Sequence, residues 1–183
     1  MARMPELKPE DFDEATRKLG ESIARTRGGS IQGPWAHMLR NPELAARAAS
    51  YSDYFRDGIS VPRKLALLAI IMAARHWNAA YVWNAQSPQA RNAGISEAAI
   101  EAIRLRKQPS FADPAENAVY QLFSELYTRR SVSDATYAAA EGALGQTGIV
   151  EILNVAGFYS IIATLVVTTG VALRPGALDP FAT

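Results

Sequence analysis

Apolar positions recur every three or four residues along most of the chain, the spacing that lays one stripe along a helix. Phe12, Ala15, Leu19, Ile23 and Ala24 form the first stripe, opened by Pro9 and closed by Gly28 and Gly29. A glycine-rich loop, GGSIQGP, leads into Trp35-Ala36-His37-Met38-Leu39. Asn41-Pro42 pairs a capping side chain with a proline at the first helical position, predicting a helix to about Arg56 that stops at Gly58. Ser60 and Pro62 start the next helix, whose run from Leu65 to Ala74 contains only Ala, Leu, Ile and Met. Residues 78–94 continue as helix, with Ser87-Pro88 the point where it could be interrupted. Ser96 caps a short helix that turns Ile100 and Ile103 inward. Asp113-Pro114-Ala115-Glu116 reads as a capping box opening a helix that buries Val119, Leu122, Phe123 and Leu126. Ser133 caps another helix ending near Gly145, and a long apolar helix follows from about Gly148. No segment alternates with period two long enough for a strand. The pattern predicts an all-α chain of seven or eight helices in one domain, 1–183, ending in an aperiodic tail at 174–183.

Composition supports that picture and narrows the partners. A chain of 183 residues, 49% hydrophobic and 20% charged, has the make-up of one globular domain. Nineteen basic residues against 18 acidic ones give a net charge of +1, no electrostatic footprint for nucleic acid or an anionic membrane. The N-terminal stretch MARMPELKPEDFDEATRK is charged and lacks an apolar leader core, so a cytoplasmic protein is expected. From Ile152 to Leu173 there is no charged residue, enough length to span a bilayer. Asn154, Ser160, Thr164, Thr168 and Thr169 interrupt it, and no Lys/Arg cluster precedes it. A helix apolar on all sides belongs in a core or an oligomer interface. In a chain this small, self-association is expected and membrane insertion is not.

The chain has no cysteine, which removes disulfides, thiolate nucleophiles and thiol peroxide chemistry. Its two histidines, His37 and His76, have no second histidine at helical spacing, so no metal site is expected. Between Val61 and Ser96 there is no Asp or Glu, while Arg63, Lys64, Arg75 and Arg91 are all present. Carboxylates from other helices, such as Glu43, Glu116 or Glu151, could neutralise these cations; otherwise one of them meets an anionic ligand. At ~100° per residue, an unbroken helix puts Arg75, Ala79, Val82 and Gln86 on one stripe, with Asn78 and Trp83 on its flanks and His76 at its edge, near Trp83. A cation, two amides, an imidazole and an aromatic wall suit a pocket for a small planar or carboxylated molecule. Trp83 can equally be a core residue, and His76 a structural histidine. Trp35 and His37 lie in a loop-to-helix transition, a common place for binding residues. Tyr159, inside the apolar helix, needs a partner for its hydroxyl and could line the pocket or bond a backbone carbonyl.

Four segments carry a family resemblance: GPWAHMLRNPELA (33–45), LALLAIIMAARHWNAAYVWNAQSPQARNAGISEAAIEAI (65–103), SDATYAAA (133–140) and GIVEILNVAGFYSIIA (148–163). From about Gly33 to Val171 the chain resembles the carboxymuconolactone decarboxylase family, within the wider alkyl hydroperoxidase D-like superfamily. The resemblance implies an all-α fold whose helical hairpins associate into trimers or hexamers, with a dimer as the fallback, and no cofactor. Peroxidase members carry a Cys-x-x-Cys-x-x-x-His motif preceded by a glutamate; the corresponding positions here are Leu67, Ala79, Val82 and Gln86. The family's proton relay therefore has no ionisable group at those positions, and a thiol peroxidase is excluded. Cofactor-free decarboxylation or isomerisation of a small carboxylated or lactone substrate stays open. Arg75 would hold the carboxylate, Asn78 or Gln86 would stabilise an enolate oxygen, and His76 or Tyr159 would deliver the proton. The alternative is an oligomeric binding or structural relative that has lost the chemistry.

Overall fold

The computed structural model describes residues 2–27 and 29–182; the expected stop at Gly28 lies outside them. A single 3-10 turn, Pro9–Asp11, precedes eight α-helices: α1 (Glu14–Arg25), α2 (Pro34–Met38), α3 (Pro42–Asp57), α4 (Arg63–His76), α5 (Ala80–Asn92), α6 (Glu97–Arg104), α7 (Pro114–Arg129) and α8 (Asp134–Thr169). There is no strand among the described residues. The starts are set by side-chain caps that satisfy otherwise orphaned backbone donors. Asn41 accepts from Leu44 N at 3.1 Å, Ser96 from Ala99 N at 3.2 Å, and Ser133 from Thr136 N at 3.3 Å. The first helix begins later than its apolar stripe, because Asp13 accepts from Thr16 N at 2.7 Å and Phe12 stays outside.

The expected capping box at α7 is only half formed. Asp113 accepts from Ala115 N at 2.9 Å, but Glu116 is buried and pairs with Lys64 of α4. A charge inside the core is tolerated only with such a partner, and Lys64 supplies it across the helix boundary.

The centre of the fold is α4. Every residue from Leu65 to Ala74 is buried, and α5, α7 and α8 pack around it. A helix covered on all sides has no polar face, so its sequence lacks amphipathic periodicity. Each fully buried Leu or Ile there contributes roughly 1.5–3 kcal/mol of hydrophobic stabilisation. Ahead of α4, Glu151 of α8 accepts from Ser60 N at 2.8 Å and Val61 N at 3.1 Å, fixing the turn from α3.

α8 is broken where the sequence suggested. Gly145 has φ 67° and ψ 170°, a backbone state open to glycine, and the apolar segment beyond it packs on α4 and α7. By length and composition α8 could cross a membrane. Its inner face, including Ile152, Val155, Phe158 and Ile162, is instead core, while Val150, Leu153, Ile161 and Val167 are exposed along the outer face.

The helix expected to run unbroken from α4 through α5 is two helices. α4 ends with Asn78 N bonded to Arg75 O at 3.3 Å and Ala79 N to Ala74 O at 2.8 Å, with Asn78 left-handed at φ 50°. This pair of bonds is a Schellman ending, and asparagine is the side chain that tolerates its left-handed position best after glycine. The interruption considered at Pro88 does not occur, since Pro88 lies inside α5.

Candidate functional site

The break at Asn78 separates the residues that an unbroken helix would have placed together. Arg75, His76 and Asn78 sit at the far end of α4 from the pocket described below. Arg75 Nε donates to Arg104 O at 2.5 Å, its Nη1 donates to Asn78 Oδ1, and its guanidinium lies 4.5 Å from the centre of the Phe181 ring. Burial first, then the neighbouring Arg106 and Arg104, lower its proton affinity. His76 stacks on Tyr127 with ring centres 4.2 Å apart, and burial followed by Arg106 holds its imidazole below the ordinary histidine range. Trp83 is core, edge-on to Phe181 at 5.4 Å. His37 is buried between Gly33 O, 3.0 Å from Nδ1, and Met4 O, 3.1 Å from Nε2, where it ties the N-terminal segment to α2. These five residues do not converge on a cavity.

A different set does. A cavity of about 540 Å³ opens between the loop after α1, the ends of α3 and α4, the face of α5 and the middle of α8. Trp35, Gln86 and Tyr159, all expected site residues, line it. With them stand four arginines, Arg27, Arg56, Arg63 and Arg174, and the aromatic rings of Phe55, Tyr81 and Phe158. None of its lining residues is a carboxylate. Gly33 at φ 62° brings the loop so close to Tyr81 that a Cβ would collide with the phenol ring, which makes a glycine obligatory at this edge.

The four cations differ in how far they are neutralised. Arg27 Nη2 reaches Asp53 Oδ1 at 2.5 Å and Ala49 O at 3.1 Å, with its guanidinium 4.5 Å from the Trp35 ring centre. Arg56 shares the same Asp53 oxygen at 3.1 Å and reaches Asp57 at 3.0 Å. Among the described residues Arg63 has only the neutral Gln89, whose Oε1 accepts from Nη2 at 3.1 Å. Arg174 has no side-chain partner among the described residues. Two guanidiniums therefore face the cavity without a counter-charge.

The polar groups of the wall are also unspent. Gln86 Oε1 is buried without a hydrogen bond among the described residues, a state that costs energy unless a ligand or water donates to it. Burial raises the phenol of Tyr159, while Arg63, Arg27 and Arg56 pull the other way without cancelling it. The hydroxyl thus keeps its proton through neutral pH and can donate. Of the four positions where the resemblance places the relay, Val82 and Gln86 line the cavity, whereas Leu67 and Ala79 are buried in the core. Sequence reasoning missed Arg27, Arg56 and Arg174; Arg63 carried a signal, being one of the cations in the carboxylate-free stretch.

This arrangement of helices is the alkyl hydroperoxidase D-like fold. It is shared with the debrominase Bmp8, whose apo structure superimposes with a TM-score of 0.74 at 12% identity, covering 96% of this chain and 92% of that one. A cysteine-to-alanine variant of that debrominase in complex with 2,3,4-tribromopyrrole gives a TM-score of 0.76 at 12% identity over 98% and 96% of the two chains. An uncharacterised peroxidase-related protein from Silicibacter sp. TM1040 gives 0.72 at 15% identity over 95% and 92%. No protein-family model and no curated protein sequence matches the chain.

Proposed function

We propose that this chain is a carboxymuconolactone decarboxylase-like lyase that takes a small, planar carboxylated or lactone molecule into the arginine-lined cavity, without a cofactor. The observation that carries the proposal is the lining itself: four arginines, no carboxylate, and a half-buried, protonated phenol around about 540 Å³. The anchor is Arg63 rather than Arg75, because Arg63 faces the cavity with only Gln89 on its guanidinium. In a decarboxylation the C–C bond to the anchored carboxylate breaks and carbon dioxide leaves. Its bonding electrons pass into the substrate's own conjugated carbonyl, and Tyr159 then protonates the resulting enolate at carbon. The tyrosinate formed is stabilised by Arg63, Arg27 and Arg56 until solvent returns the proton. Gln86 offers its amide N–H to the enolate oxygen.

The fold's debrominase neighbour, crystallised with a small planar ring, supports a ligand of similar size and shape. A cysteine nucleophile plays no part in the proposed reaction, since the chain has no cysteine.

A second reading, a binding protein without turnover, is favoured by Leu67, Ala79, Val82 and Gln86, none of which can exchange a proton. Calorimetric titration with benzoate and its neutral isostere benzamide, joined to a carbon dioxide assay on a panel of β-keto and unsaturated lactone acids, separates the readings. The lyase requires benzoate to bind more tightly than benzamide, Arg63→Gln to weaken benzoate alone, and Tyr159→Phe to cut turnover about 100-fold or more while binding persists. Equal affinity for benzoate and benzamide would reject the anion site. Selective binding with no turnover on any acid would leave the binding protein.

A further inference from the structure

We propose that Arg174 is a specificity-determining residue of the cavity, carried there by a C-terminal strap that is latched by Phe181; the inference rests on the cavity being an anion site. α8 stops at Gly170, left-handed at φ 70°, and the chain turns away from the helix axis. From there it runs back across α5 to the far end of α4. Three contacts hold it. Asn84 Nδ2 donates to Leu178 O at 2.9 Å, Arg104 Nη1 donates to Pro180 O at 2.6 Å, and Phe181 sits between Trp83 and the Arg75 guanidinium.

Between the helix end and these anchors, Arg174 reaches the cavity wall. A second cavity of about 100 Å³ lies between the strap and α5, bordered by Leu173, Arg174 and Ala177 on one side and Tyr81 and Asn84 on the other. The strap's own hydrogen bonds among the described residues are few: Ala177 N to Arg174 O at 2.9 Å, Ala182 N to Asp179 O at 3.4 Å, and Phe181 N to the Asp179 side-chain Oδ1 at 2.8 Å. Nothing in it is helical, so it can lift without melting a helix. Its placement depends on the latch, and the latch depends on Arg75 and Trp83.

This gives Arg75 and Trp83 a role that their distance from the cavity would not suggest. They are positioning residues acting through Phe181. The ligand chemistry follows from Arg174: an anionic group at the strap side of the cavity orders a guanidinium that has no side-chain partner among the described residues, and the ordered strap closes that side. A neutral analogue of the same shape gains nothing from the strap.

The test uses the full chain with benzoate and benzamide as probes. Affinities come from calorimetry, and backbone mobility of residues 172–182 from hydrogen–deuterium exchange. Arg174→Gln should weaken benzoate about tenfold, the scale of one charge-assisted hydrogen bond, and leave benzamide unchanged. Phe181→Ala should speed exchange over 172–182 and weaken benzoate about threefold to fivefold; Phe181→Tyr should restore both. Benzoate should slow exchange in the strap of the unmutated protein, and benzamide should not. If benzoate binds selectively and responds to Arg63→Gln, but ignores Arg174→Gln and leaves strap exchange unaltered, the strap proposal is overturned and the anion site stands. If benzoate shows no preference over benzamide, both fall. Arg174 is exposed, so its variant tests the proposal even if Phe181→Ala perturbs folding.

Discussion

Arg75→Met distinguishes a residue that holds the fold from one that holds a ligand. The substitution removes two charge-assisted bonds, Nη1 to Asn78 Oδ1 and Nε to Arg104 O at 2.5 Å, the second of which contributes about 1.5–3 kcal/mol on its own. Asn78 is not orphaned, because Arg106 Nη2 still donates to its Oδ1 at 3.0 Å. The cation–π contact with Phe181, about 0.5–1 kcal/mol at a part-exposed site, is replaced by a thioether–aromatic contact of similar size. Removing the charge also relieves its repulsion with Arg104 and Arg106, the two neighbours that help lower its proton affinity. The net loss is about 1–2 kcal/mol of stability. For a domain of 183 residues each kcal/mol shifts the midpoint by about 2–4 °C, so Tm should fall by about 2–8 °C. Benzoate affinity should change by less than about threefold, since methionine preserves the seat of Phe181. Scanning calorimetry and titration on one variant decide the matter. A loss of affinity beyond tenfold with an unchanged Tm would place Arg75 on the ligand and refute the geometry given above.

Burial pushes the Tyr127 phenol up to about 12 in the folded chain, against about 10 when unfolded. The unfolded state therefore releases that proton first as pH rises, so stability is lost between pH 10 and 12, by up to about 2–3 kcal/mol. Tyr127→Phe should flatten the fall in Tm over that window; an unaltered slope would show that the phenol is not protected. The exposed row Val150, Leu153, Ile161 and Val167 on α8 predicts a closed oligomer, a trimer or hexamer by light scattering at micromolar concentration. Ile161→Asp should dissociate it, and a stable monomer in the unmutated protein would contradict the prediction.

Local signals were legible in the sequence. Asn41, Ser96, Asp113 and Ser133 announce helix starts because a cap needs only a side-chain oxygen and the next turn of backbone. Gly145 announced the break in α8 because glycine, lacking a Cβ, takes the positive-φ state that ends a helix. The end of α4 was missed because its left-handed residue is Asn78 rather than glycine, inside a stretch that otherwise reads as helix. That one break moved Arg75 and His76 away from Gln86 and undid the expected constellation. The cavity's cations were illegible for a different reason. They come from the loop after α1, from α3, from the start of α4 and from the tail, and only tertiary packing brings such distant positions together. Tyr159 was legible as a lone hydroxyl in an apolar helix and Trp35 by its place where a loop enters a helix, whereas Gln86 was reached through a stripe that the break at Asn78 does not preserve.

The carboxylate-free wall also bears on speed. Uncompensated guanidiniums in a concave, low-dielectric cleft focus field lines outward, and an approaching anion is drawn in before it makes contact. Association of benzoate should therefore slow as ionic strength rises, since the attraction is screened beyond about 10 Å at 0.1 M salt. Phosphate and sulfate buffers would occupy the same field as competing counter-ions, so kinetics measured in them would understate how fast the cavity captures a carboxylate.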